Sequence, residues 1–239
     1  SIKQEHNDSW QNAMQITGAS HLPHPAIFSN HESPFDYKNQ TRILIVNDIA
    51  RERPAATGAA MAAFMKEAGG GSLGLFTAIQ RLREIYPYLA GELAAANIPL
   101  YAQHVDQMNL QTLLQLFRAD MNSCLIGTDA VRDGIDVPGQ ALRMILYDRV
   151  PWPRPDMLFK ARADRIGKNE LTDRLTRMKL RQAFGRLIRK VNDKGIFVML
   201  DSRLPTRLTS AFPSDITIER LPLKDALFQV RDFLSLKDD

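Results

Sequence analysis

Within Arg181-Gln182-Ala183-Phe184-Gly185-Arg186-Leu187-Ile188-Arg189-Lys190, a glutamine and two arginines stand at a spacing that suits anion chemistry. At 3.6 residues per turn, Leu180, Phe184, Leu187 and Ile188 share one side of a helix, and Gln182, Gly185, Arg186 and Arg189 share the other. The first side reads as core and the second as displayed. The guanidinium groups present planar forks of N–H donors that match phosphate oxygens, Gly185 leaves room for close approach, and Gln182 can donate and accept. A triphosphate fits such a surface. A salt-bridged surface helix has the same pattern, and this stretch alone does not choose between the two.

In a second stretch, Gly127-Thr128-Asp129-Ala130-Val131-Arg132-Asp133-Gly134-Ile135-Asp136-Val137-Pro138-Gly139, residues Asp129 to Gly139 read as a loop after an apolar strand at Cys124. The carboxyl end of a parallel strand is where open α/β sheets bind ligands. The same glycines and Asp133 would also serve as plain turn formers.

Together the two stretches resemble the last two motifs of superfamily-two DNA helicases of the DinG and XPD type, in which a GT…EGVDVPG block precedes Q-x-x-GRLIR. Four shorter segments agree with that resemblance. Ser33-Pro34-Phe35-Asp36-Tyr37 with Gln40 is similar to the family's SPFDY…Q entry, and Leu75-Phe76-Thr77-Ala78 to its LFTS element. Asp148 to Pro155 is similar to DKLPF-x-x-P, and Asp201-Ser202-Arg203 to the DPR that closes the last strand. The match runs from about Ser33 to that strand.

The resemblance implies the second motor domain of an ATP-dependent DNA helicase. Gln182, Arg186 and Arg189 would be its catalytic groups, reaching the γ-phosphate of ATP bound with Mg2+ by a first motor domain in cis. Gly134 and Asp136 would lie on the nucleotide side, Asp136 orienting the arginines or a ribose hydroxyl. Thr77, Thr128 and Arg132 would hold single-stranded DNA, with translocation 5′ to 3′ coupled to opening of duplexes or displacement loops. Val131-Arg132-Asp133 stands where the commoner family wording is Phe-Trp-Glu, so base stacking is lost there and Arg132 is expected to substitute a phosphate contact. Thr77 has an alternative role in capping the following helix, and Trp152 is either a stacking platform or a surface-packed aromatic.

No GxxxxGK[ST] or DEAH-like run occurs, so this stretch alone is expected to be inactive as an ATPase. The rival is a stand-alone nucleic-acid-binding module. A Rossmann-type small-molecule enzyme would need a glycine fingerprint after the first strand, which is missing.

Charge agrees with a phosphate-bearing partner. From Arg149 to Arg207 there are 16 Lys and Arg against 6 Asp and Glu, a local +10 in a chain whose net charge is +4. Such a block is an electrostatic footprint for nucleotide or nucleic acid, and equally a pattern that a solvated basic face can show. The single cysteine, Cys124, rules out an internal disulfide and, within this sequence, an iron–sulfur cluster, which would have to lie upstream. His21, His24 and His31 sit among prolines without ligand partners and read as loop residues, so no metal site is expected. No apolar run is long enough to cross a bilayer, no signal segment opens the chain, and a cytoplasmic location is expected. Ser1 in place of Met is expected of a chain processed or cut from a longer one.

The elements that must position these residues alternate. Residues 1–40 read as a lead-in with only a hint of helix from Trp10 to Ile16, and residues 41–239 as a RecA-like three-layer α/β/α domain with a mainly parallel sheet. Strands are expected at Ile43–Val46, Leu73–Phe76, Ile98–Gln103, Cys124–Ile126, Met144–Tyr147 and Ile196–Leu200. Helices are expected at Ala55–Ala68, Ala78–Leu89, Leu110–Arg118, Met157–Ile166, Leu171–Lys190 and Leu223–Leu236. Gly69-Gly70-Gly71 follows a helix and precedes a strand, so it reads as a helix terminator rather than a phosphate cradle.

Overall fold

The structure, a computed structural model, describes residues 10, 13–14, 18–29, 33–50, 52–137 and 139–235. Most of the expected Trp10–Ile16 helix, His31, Pro138 and Leu236 fall outside them. The chain divides into two units, residues 1–34 and 35–239. In the first, a single 3-10 turn runs Ala19–His21 and the rings of Trp10 and Phe28 stand 4.8 Å apart.

The second unit is built on seven strands: β1 Thr41–Val46, β2 Ser72–Leu75, β3 Leu100–Ala102, β4 Cys124–Gly127, β5 Met144–Tyr147, β6 Gly195–Met199 and β7 Ile218–Leu221. Their spatial order is β3-β4-β2-β5-β6-β1-β7, and every neighbouring pair is parallel. Helix α1 Tyr37–Gln40 precedes β1; the crossovers run through α2 Pro54–Glu67, α3 Ile79–Ala95, α4 Leu110–Ala119, α5 Asp129–Gly134, α6 Met157–Ile166 with α7 Lys168–Phe184, and, between β6 and β7, a 3-10 helix at Thr206–Ala211; α8 Leu223–Ser235 follows β7.

Period-two alternation divides the strand side chains between two cores. Ile43 and Ile45 face the layer holding Phe117, Val131 and Phe184, whereas Leu44 and Val46 face the layer holding Phe64, Leu89 and Val230. Helices therefore cover both faces, giving the three-layer α/β/α arrangement that alternating elements imply.

Local chemistry sets the helix ends. Pro54 occupies the first turn of α2, Asn109 accepts from the Thr112 N–H to start α4, and Asp156 accepts from the Phe159 N–H at 2.7 Å to start α6. At the end of α2, Gly70 donates its N–H to the Met65 carbonyl at 2.9 Å, with φ at +85°. The three glycines thus terminate the helix.

Four expectations change. Helix α3 runs on past Gly91 to Ala95 because burial of Leu93 outweighs the roughly 1 kcal/mol cost of a glycine in a helix. The expected helix from Leu171 to Lys190 starts earlier and ends at Phe184, after which the chain turns so that Leu187 lies over Gly195 at the start of β6. The expected Asp129–Gly139 loop begins as helix α5. Edge strand β7, with Glu219 and Arg220 in its middle, carried too little apolar pattern to be read from sequence.

A Cβ at Gly70 would sit 1.8 Å from the Asn122 carbonyl oxygen, on a backbone that L side chains rarely adopt. Gly70→Ala is expected to lower unfolding free energy by on the order of 2 kcal/mol or more. Urea denaturation measures it, and a change under about 0.5 kcal/mol would contradict the close packing.

Candidate nucleotide and nucleic-acid interface

Parallel pairing brings the carboxyl ends of β2, β4 and β5 to one edge. Leu75, Gly127 and Tyr147 are in register, so Thr128 and Asp148 come one residue past the strand ends and Thr77 two. Thr77 and Thr128 line the same groove, a cavity of about 510 Å³ whose other wall includes Trp152, Leu158, Arg162 and Lys179. The lining therefore mixes hydroxyl groups of Thr77 and Thr128, cationic groups of Arg162 and Lys179, and the apolar surfaces of Trp152 and Leu158.

Each threonine is held by a partner that sequence reading did not single out. Gln103, buried after β3, accepts from the Thr128 N–H at 2.9 Å and from its hydroxyl at 3.2 Å. Gly127 makes this fit possible, because a Cβ there would lie 2.1 Å from Val131 Cγ2 and 2.9 Å from Gln103 Oε1. The Thr77 N–H donates to Asp148 Oδ1 at 3.3 Å, and the Thr77 carbonyl accepts from Arg154 at 3.3 Å. Helix α3 begins after Ala78 without a side-chain cap, so the Thr77 hydroxyl has no capping role.

Behind Thr77, Asp148 is fully buried beside Arg81, with Arg81 Nε 3.6 Å from Asp148 Oδ2 and Arg81 Nη2 donating to Thr57 at 3.0 Å. The pair is long, and burial outweighs its attraction on both sides. Desolvation pushes the Asp148 carboxyl up to about 6, against the opposing pull of Arg81, and moves Arg81 below the usual guanidinium range. Farther along, Asp201 accepts from the Val150 N–H at 3.3 Å and so fixes the Pro151-Trp152-Pro153 wall. Trp152 is 39% exposed and faces the groove. Cys124 is a core thiol, pushed up to about 12 by burial.

The arginines form a second group. Arg189 Nη2 lies 3.3 Å from Asp136 Oδ1, and Arg186 Nη2 donates to the Asp133 carbonyl at 3.3 Å. Arg189 and Gln182 are exposed and Arg186 is half-buried, while Leu180, Phe184, Leu187 and Ile188 are buried. The core and displayed sets read from the sequence are retained, although the helix stops at Phe184. Gly134 closes α5 between the two aspartates.

Arg132 does not face the groove. Its side chain is 6% exposed and pairs with Asp129 at 2.8 Å and Asp133 at 2.9 Å. A phosphate contact would require this guanidinium to leave two carboxylates; as it stands the pairing braces α5. Among the described residues, no group of three or more His, Cys, Asp or Glu is placed to hold a metal ion.

Helix α5 joins the two groups. It starts at Thr128 and Asp129 on the groove and ends at the backbone carbonyl of Asp133 that receives Arg186, while Asp129 also pairs with Lys179 of α7 at 2.9 Å. The arrangement is a parallel α/β domain with a groove at its strand ends and an exposed arginine turn beside it.

Residues 61–218 match the helicase C-terminal domain family, and the chain belongs to it. Over 153 residues the chain is 37% identical to the ATP-dependent helicase DinG of Mycobacterium tuberculosis, a match covering 61% of this chain and 22% of that protein. The chain thus spans about a fifth of the length of that relative. Xpd4 of S. tokodaii shares the fold at a TM-score of 0.55 and 14% identity, over 83% of this chain and 41% of that one. Dbp5 of S. cerevisiae, solved bound to RNA and ADP BeF3, shares it at 0.60 and 15%, over 94% and 53%. The RecA-like fold is common to this chain and these two solved structures.

Asp148 supplies a pH test. Because its folded-state pKa lies above the ordinary 3.8, the carboxyl stabilises the fold most below that value and loses the contribution as pH rises through about 6. Asp148→Asn removes the titration. Relative to that variant, the wild-type chain is expected to lose on the order of 2–3 kcal/mol of unfolding free energy between pH 4 and 7. Urea unfolding at each pH reads the difference, and a flat or rising difference would contradict the burial effect.

Proposed function

We propose that this domain is the second motor domain of an ATP-dependent DNA helicase, completing a nucleotide site whose P-loop, lysine and magnesium ligands belong to a first motor domain in the same protein. Arg186 and Arg189 act as arginine fingers with Gln182 beside them, and Thr77 and Thr128 grip single-stranded DNA in the groove. Family membership supports the helicase assignment. The observation that carries the division of labour is the arginine turn, in which Arg189 rests on Asp136 and Arg186 on the Asp133 carbonyl, at the end of a short helix that starts on the groove.

Charge builds on the phosphoryl oxygens in the transition state, and a preplaced guanidinium stabilises it without reorganising water. Arg189 is held by a single exposed carboxylate, itself 72% exposed, and such a contact is weak enough to exchange for a phosphate. In the proposed cycle, closure of the two domains on ATP brings the arginines to the γ-phosphate. Opening after hydrolysis then shifts the groove along the strand, in the 5′ to 3′ direction implied by the DinG and XPD resemblance. ATP and Mg2+ supply the phosphoryl chemistry, and this chain supplies charge stabilisation and grip. Duplexes and displacement loops are the proposed substrates, and the cytoplasm the proposed location. Taken alone, the domain is expected to lack ATPase activity.

Dbp5 carries RNA and ADP BeF3 on a related fold, which supports nucleic acid and nucleotide as joint ligands of such domains. In the intact protein, Arg189→Ala is expected to lower kcat for ATP hydrolysis by about a thousandfold while KM for ATP and single-strand affinity stay within a few-fold. Steady-state turnover on single-stranded DNA measures it. Unchanged turnover would sink the finger assignment.

A further inference from the structure

We infer that Gln40 and Asp193 are positioning residues for Arg189, forming a buried clamp that fixes the turn from which the arginine projects. The inference rests on the reading of Arg189 as a finger and adds two residues to which no role in that chemistry has been assigned.

A turn here needs little. The Asp193 N–H donates to the Lys190 carbonyl at 3.1 Å, which by itself closes residues 190–193. The structure adds five side-chain hydrogen bonds to the same backbone. Asp193 Oδ2 accepts from the N–H groups of Arg189 and Lys190, each at 2.8 Å. From about 150 residues away, the Gln40 amide donates to the carbonyls of Lys190 at 3.2 Å, Val191 at 2.7 Å and Asp193 at 2.9 Å. Gln40 is 7% exposed and Asp193 8% exposed, so the side-chain ends of these bonds are held where water competes poorly.

Sheet register explains why the two meet. Thr41 of β1 pairs with Gly195 of β6, so Gln40, one residue before β1, and Asp193, two residues before β6, lie beside the same turn. Segment α1 is held there by the ring of Tyr37 against Phe184, with centroids 5.6 Å apart, and by the Thr41 hydroxyl donating to the Tyr37 carbonyl at 2.6 Å. A buried amide whose two N–H bonds are shared among three carbonyls of an exposed arginine-bearing turn removes backbone freedom that Arg189 would otherwise lose on meeting a phosphate. Preorganisation of this kind acts on the transition state rather than on ligand affinity, and a displacement of about 1 Å can cost about a hundredfold in rate.

The test uses the intact two-domain protein and four variants: Gln40→Leu, Asp193→Ala, Asp193→Asn and Arg189→Ala. DNA-stimulated ATP hydrolysis is measured per nucleotide-binding site, so that misfolded protein is not counted. Gln40→Leu and Asp193→Ala are expected to lower kcat about ten- to hundredfold, with KM for ATP and single-strand affinity within about threefold. Asp193→Asn keeps an acceptor oxygen and is expected to restore turnover to within about threefold of wild type. Combined with Arg189→Ala, the clamp variants are expected to lower the residual turnover by less than about twofold, since their effect runs through that side chain. Wild-type kcat in Gln40→Leu and Asp193→Ala, beside a collapsed Arg189→Ala, would overturn the clamp and leave the finger reading standing. Losses that multiply in the double variants would also overturn it, because the residues would then act on the fold at large. Wild-type turnover in Arg189→Ala would overturn the finger reading itself.

Discussion

Seven strands in parallel, the central five buried on both faces, leave a domain only the ends of its strands for chemistry. Pairing of β2 with β4 and β5 aligns Leu75 with Gly127 and Tyr147, so the residues that follow are delivered to one edge together. Thr77, Thr128 and Asp148 are neighbours because of that register, and their separation of tens of residues in sequence carries no hint of it. Shifting a strand by one residue would exchange its two core faces, so the two cores that fix the layers also fix the groove.

Polar groups buried behind the groove serve the exposed ones. Gln103 orients Thr128, Asp148 orients Thr77, and Asp201 fixes the loop that carries Trp152. Each is a group that burial would penalise without a partner, and each spends its hydrogen-bonding capacity on backbone N–H groups at the site. Arg132 belongs to this supporting set. Its pairing with Asp129 and Asp133 stiffens α5, whose two ends reach the groove and the arginine turn, and gives the two groups a shared mechanical element.

Much of the fold was legible because apolar strands and amphipathic helices alternate strictly, and the strands whose side chains are buried on both faces are unbroken apolar runs. Strand β7 was missed because an edge strand needs no such run, and Glu219 and Arg220 hide it. The end of α7 was misplaced for a different reason. Leu187 and Ile188 keep helical spacing with Leu180 and Phe184, but they are buried by a turn whose stability comes from Asp193 and Gln40, distant in sequence from the helix or from each other. Periodicity reports burial, and here burial outlasts the helix. Among site residues, the arginines and threonines were visible as motifs, whereas Gln103 showed only as the last residue of an expected strand. The pairing of Arg132 with Asp129 and Asp133 was not legible, because nothing in a sequence marks an arginine folded back between two carboxylates of its own helix.

The claim on which the rest turns is that the Arg186 and Arg189 turn completes a nucleotide site between two motor domains. Determining the structure of the intact protein with single-stranded DNA and an ADP-fluoride mimic of the phosphoryl transition state tests it directly. Arg189 released from Asp136 and donating to the fluoride group, with DNA seated between Thr77 and Thr128, is the result expected. A mimic bound at full occupancy while Arg189 stays on Asp136, away from the nucleotide, would contradict it.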